Sequence, residues 1–230
     1  MHESIATALY RGEMRQFEPL FQAARARYDA QPAKYGRTSW LKDNLAFLQA
    51  NPSVTFLSRV SEGAKKHTRV ALFGLTHPRL IAEIGKRPTW AGIVVTLTAK
   101  NCETSGNWLP IKVAAHAVTR LMQRANTPSV AVALRGLSPA FHYPLFFEGP
   151  PPATAVLLPA AGGAVVAKAD EDEPDTWVVV TYIDEAKLRP EQRAEVAERT
   201  QLFRDVRDQL LREEKWEELF PTGGGAPARR

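Results

Sequence analysis

The sequence predicts an α+β protein: a central antiparallel sheet with a helix packed against it, a helical N-terminal region and a long C-terminal helix. Three observations predict it. Between residues 153 and 183, three apolar runs (ATAVLLP, AVVAKA and TWVVVTYI) are separated by Gly162-Gly163 and by the acidic turn DEDEPD, the pattern of an antiparallel meander. Just before it, IKVAAHAVTRLMQRAN carries apolar residues at helical spacing. After it, Pro190 opens a charged run to Phe220 with a narrow apolar stripe of Phe203, Val206 and Leu210, a helix of roughly 45 Å. The composition agrees: among 230 residues, 44% are hydrophobic and 24% charged, which excludes disordered and collagen-like chains.

Taken in order, residues 3–29 predict a helix through Ile5, Leu9, Phe17, Leu20, Phe21 and Ala24, which Pro19 should kink or interrupt. Ser39 is a plausible N-cap for a short helix through Leu48, ended by Asn51-Pro52. VTFLSRV (54–60) alternates like a strand, and RVALFGL (69–75) is an apolar run. PRLIAEIG (78–85) predicts a short helix between Pro78 and Gly85, GIVVTLTA (92–99) a buried strand, and NCETSGNWLP (101–110) a loop. From Ile111 a helix is expected to run to Asn126; residues 129–137 fit helix or strand equally. FHYPLFFEGPPP (141–152) reads as a short aromatic strand and a Pro-rich connector, and PTGGGAPARR (221–230) as a flexible tail. One composite domain over 1–220 is expected, made of a helical N-terminal region (1–109), a sheet-and-helix core (110–185) and the terminal helix (190–220).

Charge is uneven. Residues 1–150 hold 19 Lys and Arg against 9 Asp and Glu, whereas residues 151–230 hold 11 against 16, within a total of +5 and a pI near 9.4. A basic first part favours a polyanionic partner such as RNA. No window approaches 18 consecutive apolar residues, so no membrane span is expected, and the opening MHESIATALYRGEM does not read as a signal peptide. The single cysteine, Cys102, excludes an internal disulfide and a Cys-rich metal site, and points to a cytoplasmic setting.

The informative constellation lies in the expected helix. Lys112, His116, Arg120 and Arg124 are spaced by four residues, about 400° of helix, and so form one polar stripe opposite Val113, Ala117, Val118, Leu121 and Met122. An imidazole transfers protons near neutral pH, and guanidinium groups bind phosphate and stabilise developing charge. RNA cleavage at its own 2′-hydroxyl needs those parts and no metal or other cofactor. The solvated face of an ordinary amphipathic helix explains the same spacing.

HAVTR-LMQR, with the later strand WVVVTYI, resembles the His-Ala-x-x-Arg helix and Thr/Tyr strand of BECR-fold ribonucleases, the grouping of RelE-like toxins, colicin-type tRNA nucleases and EndoU-like domains. The resemblance covers about residues 110–183. It implies a metal-independent endoribonuclease, toxin-like, with His116 as general acid/base, Arg120 clamping the transition state, Thr181 or Tyr182 at the scissile phosphate or base, and Arg124 on a phosphate. No second histidine in the matching region falls at a position that can be placed, although His142 adjoins it. The alternative from another class is a non-catalytic nucleic-acid-binding or assembly protein that uses a basic face and the 190–220 helix, which is long enough to dock on a partner or a second copy.

Other chemistries have weaker signals. Glu185-x-Lys187 after the strand is faintly like the PD-(D/E)xK nucleases, yet Asp170, Asp172 and Asp175 fall in a hairpin turn. Cys102 with His116 would make a thiol nucleophile and base. Lys65, Lys66, His67 and Arg69 form a basic run able to meet phosphate, and a solvated loop accounts for it as well. His77 before Pro78 suits a turn. No metal-ligand spacing is present, and neither phosphate-loop motif occurs. The acidic end of the terminal helix is also able to cover the basic face.

Overall fold

Seven extended segments, most of them short apolar runs, build one seven-stranded sheet. The computed structural model describes residues 1–29, 36–50, 54–63, 68–76, 89–141 and 154–212. Helices α1 (Glu3–Asp29) and α2 (Arg37–Ala50) precede strands β1 (Val54–Glu62), β2 (Arg69–Thr76), β3 (Thr89–Thr98) and β4 (Glu103–Ala114). Helices α3 (Ala115–Arg124), α4 (Val130–Arg135) and α5 (Ser138–Phe141) follow, then β5 (Val156–Ala160), β6 (Gly163–Ala169), β7 (Trp177–Asp184), a 3₁₀ turn (Glu185–Lys187) and α6 (Pro190–Arg212). The class is α+β. The described part of residues 1–109 holds α1 and α2, then β1, β2, β3 and most of β4. Pro19 sits inside α1 without interrupting it.

The strand order is β1-β2-β3-β4-β7-β6-β5. Every pair is antiparallel except β4 with β7, which run parallel over Ile111–Trp177, Lys112–Val178 and Val113–Val179. The expected antiparallel sheet is therefore mixed. β7 arrives beside β4 after a long crossover through the helices and the β5–β6 hairpin, and such a connection is what a parallel pair requires.

Each face of the sheet has its own cover. On the first, Phe73, Trp90, Val113, Leu158 and Val179 pack under α1, α3, α4 and α5 with Tyr10, Met122, Leu134 and Phe141. On the second, Val70, Leu72 and Leu97 meet Leu41 of α2, while Leu157, Ala164 and Leu188 meet Val196 of α6. Neighbouring residues such as Leu157 and Leu158 serve opposite faces because strand side chains alternate. Fully burying one such large side chain is worth about 1.5–3 kcal/mol. Arg199 ties α6 down by donating to the Leu157 carbonyl. Phe203 is buried as its place in the stripe requires, while the side chains of Val206 and Leu210 lie outside the described residues.

The meander forms as expected. Its β5–β6 turn is Ala161-Gly162, where φ of +71° suits glycine, and Gly163 belongs to β6. Two expectations fail at β4. Residues 103–110 are strand rather than loop, and Ile111–Ala114 continue that strand instead of starting the helix. The period is two there: Ile111 and Val113 enter the first-face core while Lys112 points the other way. The ambiguous 129–137 segment is helical at α4. The helix expected at 78–85, the strand at 141–147 beyond Phe141, the connector at 148–153 and everything after Arg212 lie outside the described residues.

Candidate nucleic-acid interface

α3 starts directly from the extended Ala114 with no side-chain cap, and ends where Asn126 takes φ of +49° and Thr127 N–H donates to the Met122 carbonyl, 3.1 Å away. Ala117, Val118, Leu121 and Met122 are buried, which turns His116, Arg120, Gln123 and Arg124 outward. His116 and Arg124 are exposed; Arg120 is half-buried. α4 is capped from another element: the Glu13 carboxylate of α1 accepts the Val130 N–H at 2.8 Å. Burial pushes the Glu13 pKa up despite that bond.

Arg120 is engaged. Its guanidinium pairs with Glu3 of α1 at 3.0 Å and donates to the Gln123 side chain at 2.9 Å. Arg124 lies near enough to Tyr182 for its charge to favour the phenolate, but burial, with Asp184 and Glu185, holds the Tyr182 pKa above its usual value. The Tyr182 hydroxyl donates to the Ala161 carbonyl at 3.1 Å, closing the β5–β6 turn.

Two members of the expected set lie on the far side of the sheet. Thr181 is offset from Tyr182 by one residue, so it faces the α6 layer with its partner Val166. Lys112, a strand residue, drops out of the helical stripe. Its ammonium group is nearly buried and pairs with Asp170 at 3.0 Å and Glu173 at 3.1 Å in the β6–β7 turn. Burial disfavours its charge, but the two carboxylates outweigh this and raise its pKa. Asp170 is likewise desolvated, yet the Asp172 N–H and Lys112 bring its pKa below the ordinary carboxylate value. DEDEPD is the turn its composition predicts, but its pairing with Lys112, like that of Glu3 with Arg120, has no local signal in the sequence.

Arg69 opens β2 opposite Glu62 and Thr98, remote from α3. Lys65, Lys66, His67, His77 and His142 lie outside the described residues. The Cys102–His116 pair is excluded: the two residues flank opposite ends of β4, whose twelve residues span roughly 35 Å. The PD-(D/E)xK arrangement fails similarly, since β7 separates Asp170, Asp172 and Asp175 from Glu185 and Lys187, and Asp184 caps the 3₁₀ turn by accepting the Ala186 N–H. Among the described residues, no group of three or more His, Cys, Asp and Glu is placed to hold a metal ion. The described part of α6 packs on the face opposite α3, so it does not screen the basic stripe. No helix among the described residues is long and apolar enough to cross a membrane.

What the fold collects on one surface is therefore His116, Arg120 and Arg124, with Tyr182 beside Arg124. The chain has no acidic residue between Glu103 and Glu148, so α3 and α4 present Arg120, Arg124 and the exposed Arg135 without a carboxylate of their own. Compared with protein-family models, with curated proteins and with solved structures, the chain matches none.

Proposed function

We propose that this protein binds RNA, as a polyanion, through the exposed face of α3. The observation that carries the reading is the pairing of an exposed His116 and an exposed Arg124 on one helix face, with Arg120 between them, inside a stretch free of acidic residues. Guanidinium groups placed this way contact phosphate in paired hydrogen bonds and release counterions from the nucleic acid. Anisotropy of a labelled single-stranded RNA, titrated at several salt concentrations, tests it. Arg124→Glu is expected to weaken binding about tenfold or more and to flatten the salt dependence, whereas Arg69→Glu leaves both unchanged. Affinity indifferent to Arg124→Glu refutes the assignment.

A second reading, metal-independent cleavage of the bound RNA, is supported by the freedom of His116 one turn from Arg120. The partner of Arg120, Glu3, is half-exposed, so a phosphodiester is able to replace it. His116 would then move the 2′-hydroxyl proton and Arg120 would meet the charge on phosphorus-bound oxygen. Thr181 has no part in this, being on the other face. Cleavage in EDTA that disappears in His116→Ala supports the enzyme; binding with no cleavage leaves the binding module.

A further inference from the structure

We propose, on the reading of α3 as an RNA-binding face, that the interface continues onto α1, where Arg11 and Arg15 form a second row of phosphate contacts and the RNA is a strand long enough to cross both helices. α1 belongs to the same roof as α3. Its Ala6 and Tyr10 enter the core that also holds Ala117, Val118, Leu121 and Met122. Glu3 reaches Arg120 at 3.0 Å and Glu13 reaches the Val130 N–H at 2.8 Å, so α1 runs from beside α3 to the start of α4. At about 100° per residue, Arg11 and Arg15 stand about 100–180° around the helix from Ala6 and Tyr10, and both are exposed. They face away from the sheet, as His116 and Arg124 do.

The charge of this row is not spent inside the protein. Among the described residues, Arg11 and Arg15 make no hydrogen bond or ion pair. The α1 carboxylates whose side chains are described, Glu3 and Glu13, are committed to Arg120 and to α4. Three and four residues from Arg11 stand Thr7, Ala8, Met14 and Arg15, none of them acidic; Arg15 has Glu18 at that distance, a residue whose side chain lies outside the described ones. Like charges one turn apart destabilise a helix, so the row does nothing for the stability of α1. The same Arg-x-x-x-Arg spacing recurs at Arg120 and Arg124. Arg11 lies about 12 Å along α1 from Glu3, and Arg15 about 18 Å; with helix axes about 8–10 Å apart, the two rows are separated by roughly 15–20 Å. A dinucleotide meets one row, whereas a longer strand lies across both and offers its phosphates to each in paired hydrogen bonds.

Anisotropy of a labelled single-stranded RNA of about 20 nucleotides, titrated into the full chain at several salt concentrations, tests the proposal, because each phosphate contact on a single strand adds about 0.7 to the slope of log K against log salt. The double variant Arg11→Gln, Arg15→Gln should lower that slope by about 1.4 and weaken binding about tenfold or more. Arg124→Gln should lower it by about 0.7, and the two effects should add in the triple variant, since the sites share no partner. Lys42→Gln removes an exposed cation from α2 on the opposite face of the sheet and should change neither slope nor affinity. If Arg124→Gln lowers both while the double variant lowers neither, the footprint is confined to α3 and the α1 row is refuted with the RNA reading intact. Indifference to every variant overturns the RNA reading and the α1 row together. A loss in Lys42→Gln equal to that in the double variant also overturns the row, since binding would then follow net charge alone.

Discussion

Lys112 is the side chain whose removal most directly tests the account of how β4 is held. It lies 58 positions from Asp170 in sequence and ties the β6–β7 turn to the strand that joins the two parts of the sheet. Its side chain is 10% exposed and that of Asp170 15%, so neither is well hydrated. Removing one partner of such a buried pair costs about 3–5 kcal/mol. Asp170 keeps its bonds from the Asp172 and Glu173 N–H groups after the change, and Glu173 is largely hydrated, so the expected loss for Lys112→Met is about 2–3 kcal/mol. The pH dependence follows from the two shifts. Asp170 has a lowered pKa, so its contribution is present above the ordinary carboxylate value and disappears as the pH falls through the depressed one. Lys112 has a raised pKa, so its contribution is full below its ordinary value and disappears as the pH rises through the elevated one. Urea denaturation between pH 2 and 8 should show an acid limb that Asp170→Asn flattens while preserving the turn. A Lys112→Met protein within about 0.5 kcal/mol of the parent would refute the reasoning.

Gly163→Ala places a methyl group 2.1 Å from the Ile183 carbonyl oxygen and 3.0 Å from the Glu185 nitrogen, backbone atoms that cannot turn aside as a side chain would, and should destabilise the fold by about 2–3 kcal/mol in a thermal melt. Tyr182→Phe removes the bond to Ala161 and should cost about 1 kcal/mol by the same measurement while leaving RNA affinity unchanged. Glu3→Ala frees Arg120 and should change stability by less than about 0.5 kcal/mol, as expected of a partly exposed pair, while RNA affinity rises in the anisotropy titration.

The meander was legible because its signals are local: short apolar runs bounded by glycine and acidic turns specify β5 to β7 without reference to the rest of the chain. α1 and the described part of α6 were legible from spacing for the same reason. β4 was not, because Glu103–Asn107 is polar and mostly exposed, and the segment is made a strand by its partner β3 rather than by any hydrophobic period of its own. Ile111 and Val113 satisfy the helical spacing as well as the two-residue one, and only the core they enter decides between them. Of the candidate site, His116 and Arg124 could be read from α3 alone. The fate of Lys112, Arg120 and Thr181 depends on Asp170, Glu3 and the α6 layer, each brought in by tertiary contacts far removed in sequence.

The brevity of the parallel seam has a mechanical consequence. Three residue pairs stitch β1–β4 to β5–β7, whereas the apolar layer under α1, α3, α4 and α5 draws side chains from both leaves. Cohesion between the leaves is thus carried by the helical roof more than by the backbone ladder. Loosening that roof would let the leaves part while each kept its own hairpins intact.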